Sequence, residues 1–245
     1  MTTTPLKPVF YQKIVPLNKQ QHKDLYIEPV EGFGFAKHTN SLYIAAVEFL
    51  QAAREYPIVF GQDAKQTIFP VVLLGLQQNQ NLYVDEKDRW QARYIPAYAR
   101  RYPFILAAPE GATPDQFTVC IDEGFPGFNT AKEGQALFDK KGKETKVLQQ
   151  ALDFLKDYQN HVQLTTAFCK NLGALGLLEP MQANVEMRSG KKFALAGFQC
   201  VSRAKLKALE GKKLQALLKS DELELIFMHL VSLGNVRNLM EKLEA

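Results

Sequence analysis

Thr67-Ile-Phe-Pro-Val-Val-Leu-Leu-Gly-Leu76 holds four consecutive apolar residues, Val71 to Leu74, closed by a glycine. Successive residues of a strand point to opposite faces, so an unbroken apolar run describes a strand covered on both sides. Something must pack on each face. Ile58-Val-Phe-Gly61 before it and Asn81-Leu-Tyr-Val-Asp85 after it are separated from it by short loops rich in Gly, Asp, Asn and Gln, which predicts a three-stranded antiparallel meander. One cover is expected from a helix over Ser41 to Arg54, capped by Asn40 or Ser41 and ended by Pro57. Ile44, Val47, Phe49, Leu50 and Ala53 would form its apolar face, with Glu48, Arg54 and Glu55 toward the polar side. The other cover would be a brief helix at Pro96, or a later one.

Outward from this centre, Val9 to Leu17 and Leu25 to Ile27 read as short strands, the first confined to an edge or end by Pro16. Phe104 to Ala107 and Phe117 to Ile121 read as two more, joined by a turn containing Pro109, Gly111 and Pro114. The loop Asp122-Glu-Gly-Phe-Pro-Gly-Phe-Asn-Thr130 is aromatic yet full of Gly and Pro, so its rings either lie on the core or line a cleft. Thr145 to about Leu172 keeps helical apolar spacing throughout and predicts a spine that Gly173 and Gly176 end. A hairpin follows, Ala183 to Met187 with Phe193 to Val201, turned by Arg188-Ser-Gly-Lys-Lys192. Short helices then lead to a last one, Glu222 to Leu243, bent at Gly234. The fold class is α+β: an antiparallel meander covered by helices, a long central helix, and a C-terminal β-hairpin plus helices. Two segments are expected, 1–144 mainly β and 145–245 helix, hairpin and helices, either separate or integrated as one domain.

At 245 residues and 46% hydrophobic, the chain can bury a substantial core. A net charge of +4 with interspersed signs gives no nucleic-acid footprint. Cys120, Cys169 and Cys200 are widely separated, as are the four histidines, so neither a disulfide framework nor a metal site is read, and no cofactor is expected. The N-terminus carries no signal-peptide pattern and no apolar run is long enough to span a bilayer, which leads to the expectation of a soluble cytoplasmic protein, leaderless export being the other route left open. Oligomeric state is not legible.

The densest chemistry lies in Asp85 to Phe104, with the only Trp, three Tyr and four Arg. Pro96 suits the first turn of a helix and Pro103 ends it, giving a helix over roughly Pro96 to Arg101. If helical geometry extends back, Tyr94, Tyr98 and Tyr102 share one face, and Arg93 and Arg100 another. Arginine forks suit carboxylate or phosphate, and Tyr and Trp offer apolar faces with polar tips. Trp90, Arg93, Tyr94, Tyr98, Arg100 and Arg101, with Asp122 and Glu123 at a sheet end, are therefore the candidate ligand-binding residues. The competing reading is a structural network in which Glu48, Glu55, Asp85, Glu86 and Asp88 neutralise the arginines. Asp122 and Glu123 also invite an acid–base or Mg²⁺ reading, set against a loop-capping role. No nucleotide-binding glycine loop, zinc helix motif or nucleophile elbow is present, and no catalytic residue is assigned.

The whole chain resembles the bacterial SapC family. The residues that carry the resemblance include Phe10-Tyr-Gln-Lys-Ile-Val-Pro-Leu-Asn18 with His22, Glu55-Tyr-Pro-Ile-Val-Phe60, Pro70 through Leu76, and Asn81-Leu-Tyr-Val-Asp85. It continues through Arg89-Trp90, Tyr94-Ile-Pro-Ala-Tyr98, Arg100-Arg-Tyr-Pro-Phe104, Cys120-Ile-Asp-Glu123 and Leu178-Glu-Pro-Met181. The resemblance implies an accessory protein, of a family named after a surface-layer locus and found near outer-membrane receptors, flavin-dependent halogenases and cupin-type oxygenases. It brings no catalytic residues. A membrane permease of the same name is excluded by the lack of a spanning segment. The expected function is binding of a peptide, protein or small acidic ligand. The alternatives are an enzyme or enzyme subunit acting on a peptide or small acidic metabolite, with Arg93 and Arg100 holding a carboxylate and Asp122 or Glu123 as proton carrier, and a structural assembly protein.

Overall fold

The computed structural model describes residues 8–107, 117–186 and 192–244. The N-terminal seven residues, the Pro109–Pro114 turn and most of the Arg188–Lys192 turn lie outside them.

The strands are β1 (Ile14–Pro16), β2 (Tyr26–Ile27), β3 (Ser41–Tyr43), β4 (Ile58–Gln62), β5 (Ile68–Leu73), β6 (Phe104–Ala107), β7 (Thr118–Asp122), β8 (Phe128–Asn129), β9 (Gln135–Ala136), β10 (Leu178–Glu186) and β11 (Lys192–Val201). The helices are α1 (Phe49–Ala52), α2 (Ala97–Arg100), α3 (Lys146–Ala174), α4 (Arg203–Lys207), α5 (Gly211–Lys219), α6 (Glu222–Ser232) and α7 (Val236–Glu244). They build a five-stranded antiparallel sheet in the order β10-β11-β4-β5-β3, and two three-stranded sheets, β1-β7-β6 and β8-β2-β9. The α+β class is observed. Val71 to Leu74 are buried, as a strand covered on both faces requires.

Two expected elements are corrected. Ser41 does not open a helix. Ser41, Leu42 and Tyr43 pair with Leu73, Val72 and Val71, because the outer edge of β5 needs a backbone partner and Leu42 fits the sheet face. The helix shrinks to a 3₁₀ turn at Ala46–Glu48 followed by α1, and Glu48 turns inward. Nor does Asn81 to Asp85 form the third meander strand. The Asn81 amide donates to the Ala36 carbonyl (3.1 Å) and its oxygen accepts from the Tyr83 N–H (2.9 Å), bending the chain into a turn that keeps one bridge, Val84 to Trp90.

The long helix is present over 29 residues, roughly 43 Å at helical rise. Leu148 and Leu155 in its first half join Phe104, Ile121 and Leu137 in a smaller core, while Phe168, Cys169 and Leu172 join the main core. Thus α3 clamps the small sheets to the large one. The main core draws on both expected segments, from Leu42 through Leu239. The last helix breaks at Leu233–Asn235, where the expected bend at Gly234 is a 3₁₀ turn. His229 on α6 ties this unit to the sheet: Nε2 accepts from the Val201 N–H (3.0 Å) and Nδ1 lies 2.8 Å from the Ile58 carbonyl. Among the described residues no helix is long and apolar enough to cross a membrane.

Candidate functional site

Helix α2 is four residues long, preceded by Pro96 and followed by a cis Tyr102–Pro103 peptide. It does not extend back over Tyr94, so the three tyrosines do not share a helical face and Arg93 and Arg100 do not share another. Each candidate finds its own surroundings.

Trp90 donates its indole N–H to the Tyr56 hydroxyl (2.8 Å), and that hydroxyl donates to the Tyr94 carbonyl. The Tyr94 hydroxyl donates to Glu48 (2.6 Å), whose carboxylate also accepts from the Ala97 and Ala45 N–H groups (2.7 and 2.8 Å). This buried carboxylate anchors α2 to the segment before α1. Tyr98 accepts from the Val9 N–H (3.1 Å). Arg93 is exposed, and its backbone N–H, rather than its guanidinium, meets Glu55 (2.9 and 3.0 Å).

Asp122 is fully buried and accepts from the Gln12 and Lys13 N–H groups (both 2.7 Å), the Gly124 N–H (3.1 Å) and the Tyr102 hydroxyl (3.3 Å). Burial pushes its carboxyl pKa up, but these donors outweigh it and hold the group below the ordinary carboxylate value. Glu123 points away to Lys13 (2.6 Å) and His22 (3.5 Å). The two carboxylates are thus committed to the β1–β7 junction.

The two consecutive arginines differ. Arg101 sits within rings: its Cζ lies 4.0 Å from the Tyr98 centroid, 5.2 Å from Tyr158 and 5.8 Å from Tyr11, and its buried Nε has no hydrogen-bond partner among the described residues. Arg100 is exposed. It donates from Nε to the Ile95 carbonyl (3.0 Å) and from Nη2 to the Tyr94 hydroxyl (3.4 Å), and stacks over Phe154 (5.2 Å). These contacts hold the fork in place and, among the described residues, engage two of its five N–H donors. Among the described residues no carboxylate forms an ion pair with Arg93, Arg100 or Arg101; only Arg89 is neutralised within the stretch, by Asp85 at 2.8 Å.

Arg100 borders a cleft of about 520 Å³ whose wall includes Phe33, Phe35, Tyr102 and Phe125. The rings form a chain, with centroids 5.8 Å apart for Phe33–Phe35, 4.4 Å for Phe35–Tyr102 and 5.4 Å for Tyr102–Phe125. Gly32 closes one end: it holds φ +92°, and a Cβ there would lie 2.8 Å from both the Asp88 Cβ and carbonyl oxygen. Only glycine suits that approach. Asp88 is held in turn by Lys37 (3.1 Å). The arrangement offers a fixed cation beside an aromatic wall of mutually tilted rings, which suits an anionic group attached to a ring or hydrocarbon.

Of the candidates, Arg100 alone lines this cleft; Trp90 touches its margin through an edge contact with Phe33 (5.5 Å). Sequence reasoning assigned no role to Phe33 and Phe35. Their signal was Gly32-Phe-Gly-Phe35, two rings alternating with two glycines. Phe125 came from the punctuated aromatic loop, for which cleft-lining was one of two readings.

A family model described as SapC matches residues 17–239. The chain belongs to the SapC family. Phe33, Phe35, Arg100, Tyr102 and Phe125 all fall inside the SapC match, as do β2 to β11, α1 to α6 and the first turn of α7. No curated protein and no solved structure matches the chain.

Proposed function

We propose that this SapC-family chain acts by binding, as an accessory factor, and that its contact surface is the aromatic cleft with Arg100 as the anion anchor. The observation that carries the reading is the state of Arg100: a guanidinium held by a carbonyl, a phenol and a ring, with no described acidic partner, at the mouth of a ring-lined cleft. A carboxylate meeting that fork gains charge-assisted, bidentate hydrogen bonds. Catalysis by Asp122 or Glu123 draws no support from the geometry, since the first has its oxygens occupied and neither lines the cleft. The surface-layer association in the family's name fits a binding role but adds no residue to it.

The test is calorimetric titration with N-acetyl-phenylalanine and, in parallel, its amide. The carboxylate is expected to bind at least tenfold more tightly than the amide, and Arg100→Gln is expected to erase the difference without lowering the thermal midpoint. Equal binding of acid and amide by the native chain overturns the reading.

A second reading, assembly through an apolar face, is favoured by one observation. Val47 and Leu50 (60% and 49% exposed) and Phe227 and Val231 (46% and 69%) stand on α1, the turn before it and α6, and α1 packs on α6. Light scattering of the native chain and Val231→Asp tests it: a native dimer that the variant abolishes supports assembly, and a native monomer at all concentrations removes it.

A further inference from the structure

Arg100 borders two clefts. On the other side of its guanidinium a cleft of about 390 Å³ opens toward α3, walled by Phe104, Val147, Ala151 and Phe154, with the Gln135 and Gln150 side chains at its border. Val30, Arg100, Tyr102 and Phe125 belong to both clefts, so they form a ridge between two apolar hollows, with the cation on the ridge. Arg101 adds a second positive charge on the α3 side. Glu31 and Asp88 lie in the lining of the first cleft, Asp88 paired with Lys37, and Glu28 lies in that of the second, so each hollow also carries a carboxylate.

A cation shared by two apolar hollows that each also carry a carboxylate accepts an acid at the shared position and repels further acids on either side, which fits an occupant with one central acid and uncharged flanks. A small aromatic acid fills one hollow and leaves the other empty. In an extended chain, residues i−2, i and i+2 face the same way at about 7 Å intervals. Building on the Arg100 reading above, we propose that the occupant is an extended peptide segment of the pattern apolar-x-acidic-x-apolar. Its Asp or Glu meets Arg100 and its two apolar side chains enter the two hollows.

The probe is acetyl-Phe-Ser-Glu-Ser-Leu-amide, compared by calorimetry with its Gln counterpart and with N-acetyl-phenylalanine. The Glu peptide is expected to bind at least tenfold more tightly than either. Ala151→Phe fills the second hollow, and Gln150→Trp covers it from an exposed position where folding is not at stake. Both variants are expected to reduce the peptide to within threefold of N-acetyl-phenylalanine while leaving the small acid's affinity unchanged. A Glu peptide that binds no better than N-acetyl-phenylalanine, or that is indifferent to both variants, overturns the two-hollow proposal and leaves the single-cleft reading standing. Failure of both ligands to bind overturns both.

Discussion

The Tyr94 hydroxyl donates to the Glu48 carboxylate at 2.6 Å, joining a residue of the arginine-rich stretch to one 46 positions earlier. The same carboxylate receives the N–H groups of Ala45 and Ala97, so one acid positions both the turn before α1 and the start of α2. Removing a donor to a charged acceptor costs about 2 kcal/mol, and removing the acceptor strands buried donors and costs about 4 kcal/mol. Tyr94→Phe and Glu48→Ala are expected to lose those amounts in urea unfolding. A Glu48→Ala chain within 1 kcal/mol of native, on the order of the measurement error, would contradict the anchoring role.

Asp122 gives an acid-range prediction. Its folded pKa lies below the ordinary value, so the native state favours the charged form. The stabilisation is complete above the unfolded pKa of about 3.9 and is lost as pH falls through the folded value. Asp122→Asn is expected to cost about 3 kcal/mol at pH 7, from charge-assisted bonds to backbone N–H groups. The gap between native and variant should narrow as pH falls below about 4. A gap constant over that range would show that charge is not what these donors recognise.

His229 acts in a different window. Burial lowers its pKa to about 4, only partly opposed by the bond to the Ile58 carbonyl, and its other nitrogen faces the Val201 N–H, a donor that a protonated ring cannot accept. The unfolded chain binds this proton below about pH 6.5 and the folded one does not, so stability is complete above that value and falls with pH down to about 4. Between pH 7.5 and pH 5 the loss attributable to this histidine is about 2 kcal/mol. His229→Gln, less stable at pH 7.5, is expected to lack that slope. An identical slope in native and variant would assign it to other groups.

The sequence carried the long helix and the central strand because each depends on a pattern that only one structure satisfies: 28 residues of 3.6-fold spacing, and apolar residues at four successive positions. Ser41 to Tyr43 was misread because the helical spacing of Ile44, Val47 and Leu50 just after it was extended back over residues that instead form a strand running into a turn. Pairing with β5, a tertiary fact, decided it. Asn81 to Asp85 looked like a strand until the Asn81 side chain took over backbone hydrogen bonds, a local competition that apolar alternation does not reveal. At the site, the residue types were legible but their allegiance was not. Trp90, Tyr94 and Asp122 look as ready for a ligand as Arg100, and what separates them is Tyr56, Glu48 and the Gln12 and Lys13 backbone, brought up from distant parts of the chain.

The most direct measurement is the nitrogen-15 spectrum of the arginine side chains as N-acetyl-phenylalanine is added. The account predicts that the Arg100 Nε–H resonance, assigned by its loss in Arg100→Gln, shifts in a saturable way, while that of exposed Arg93 stays where it is. Saturable shifts at Arg93 with Arg100 unmoved, or none at either residue at millimolar ligand, would contradict it.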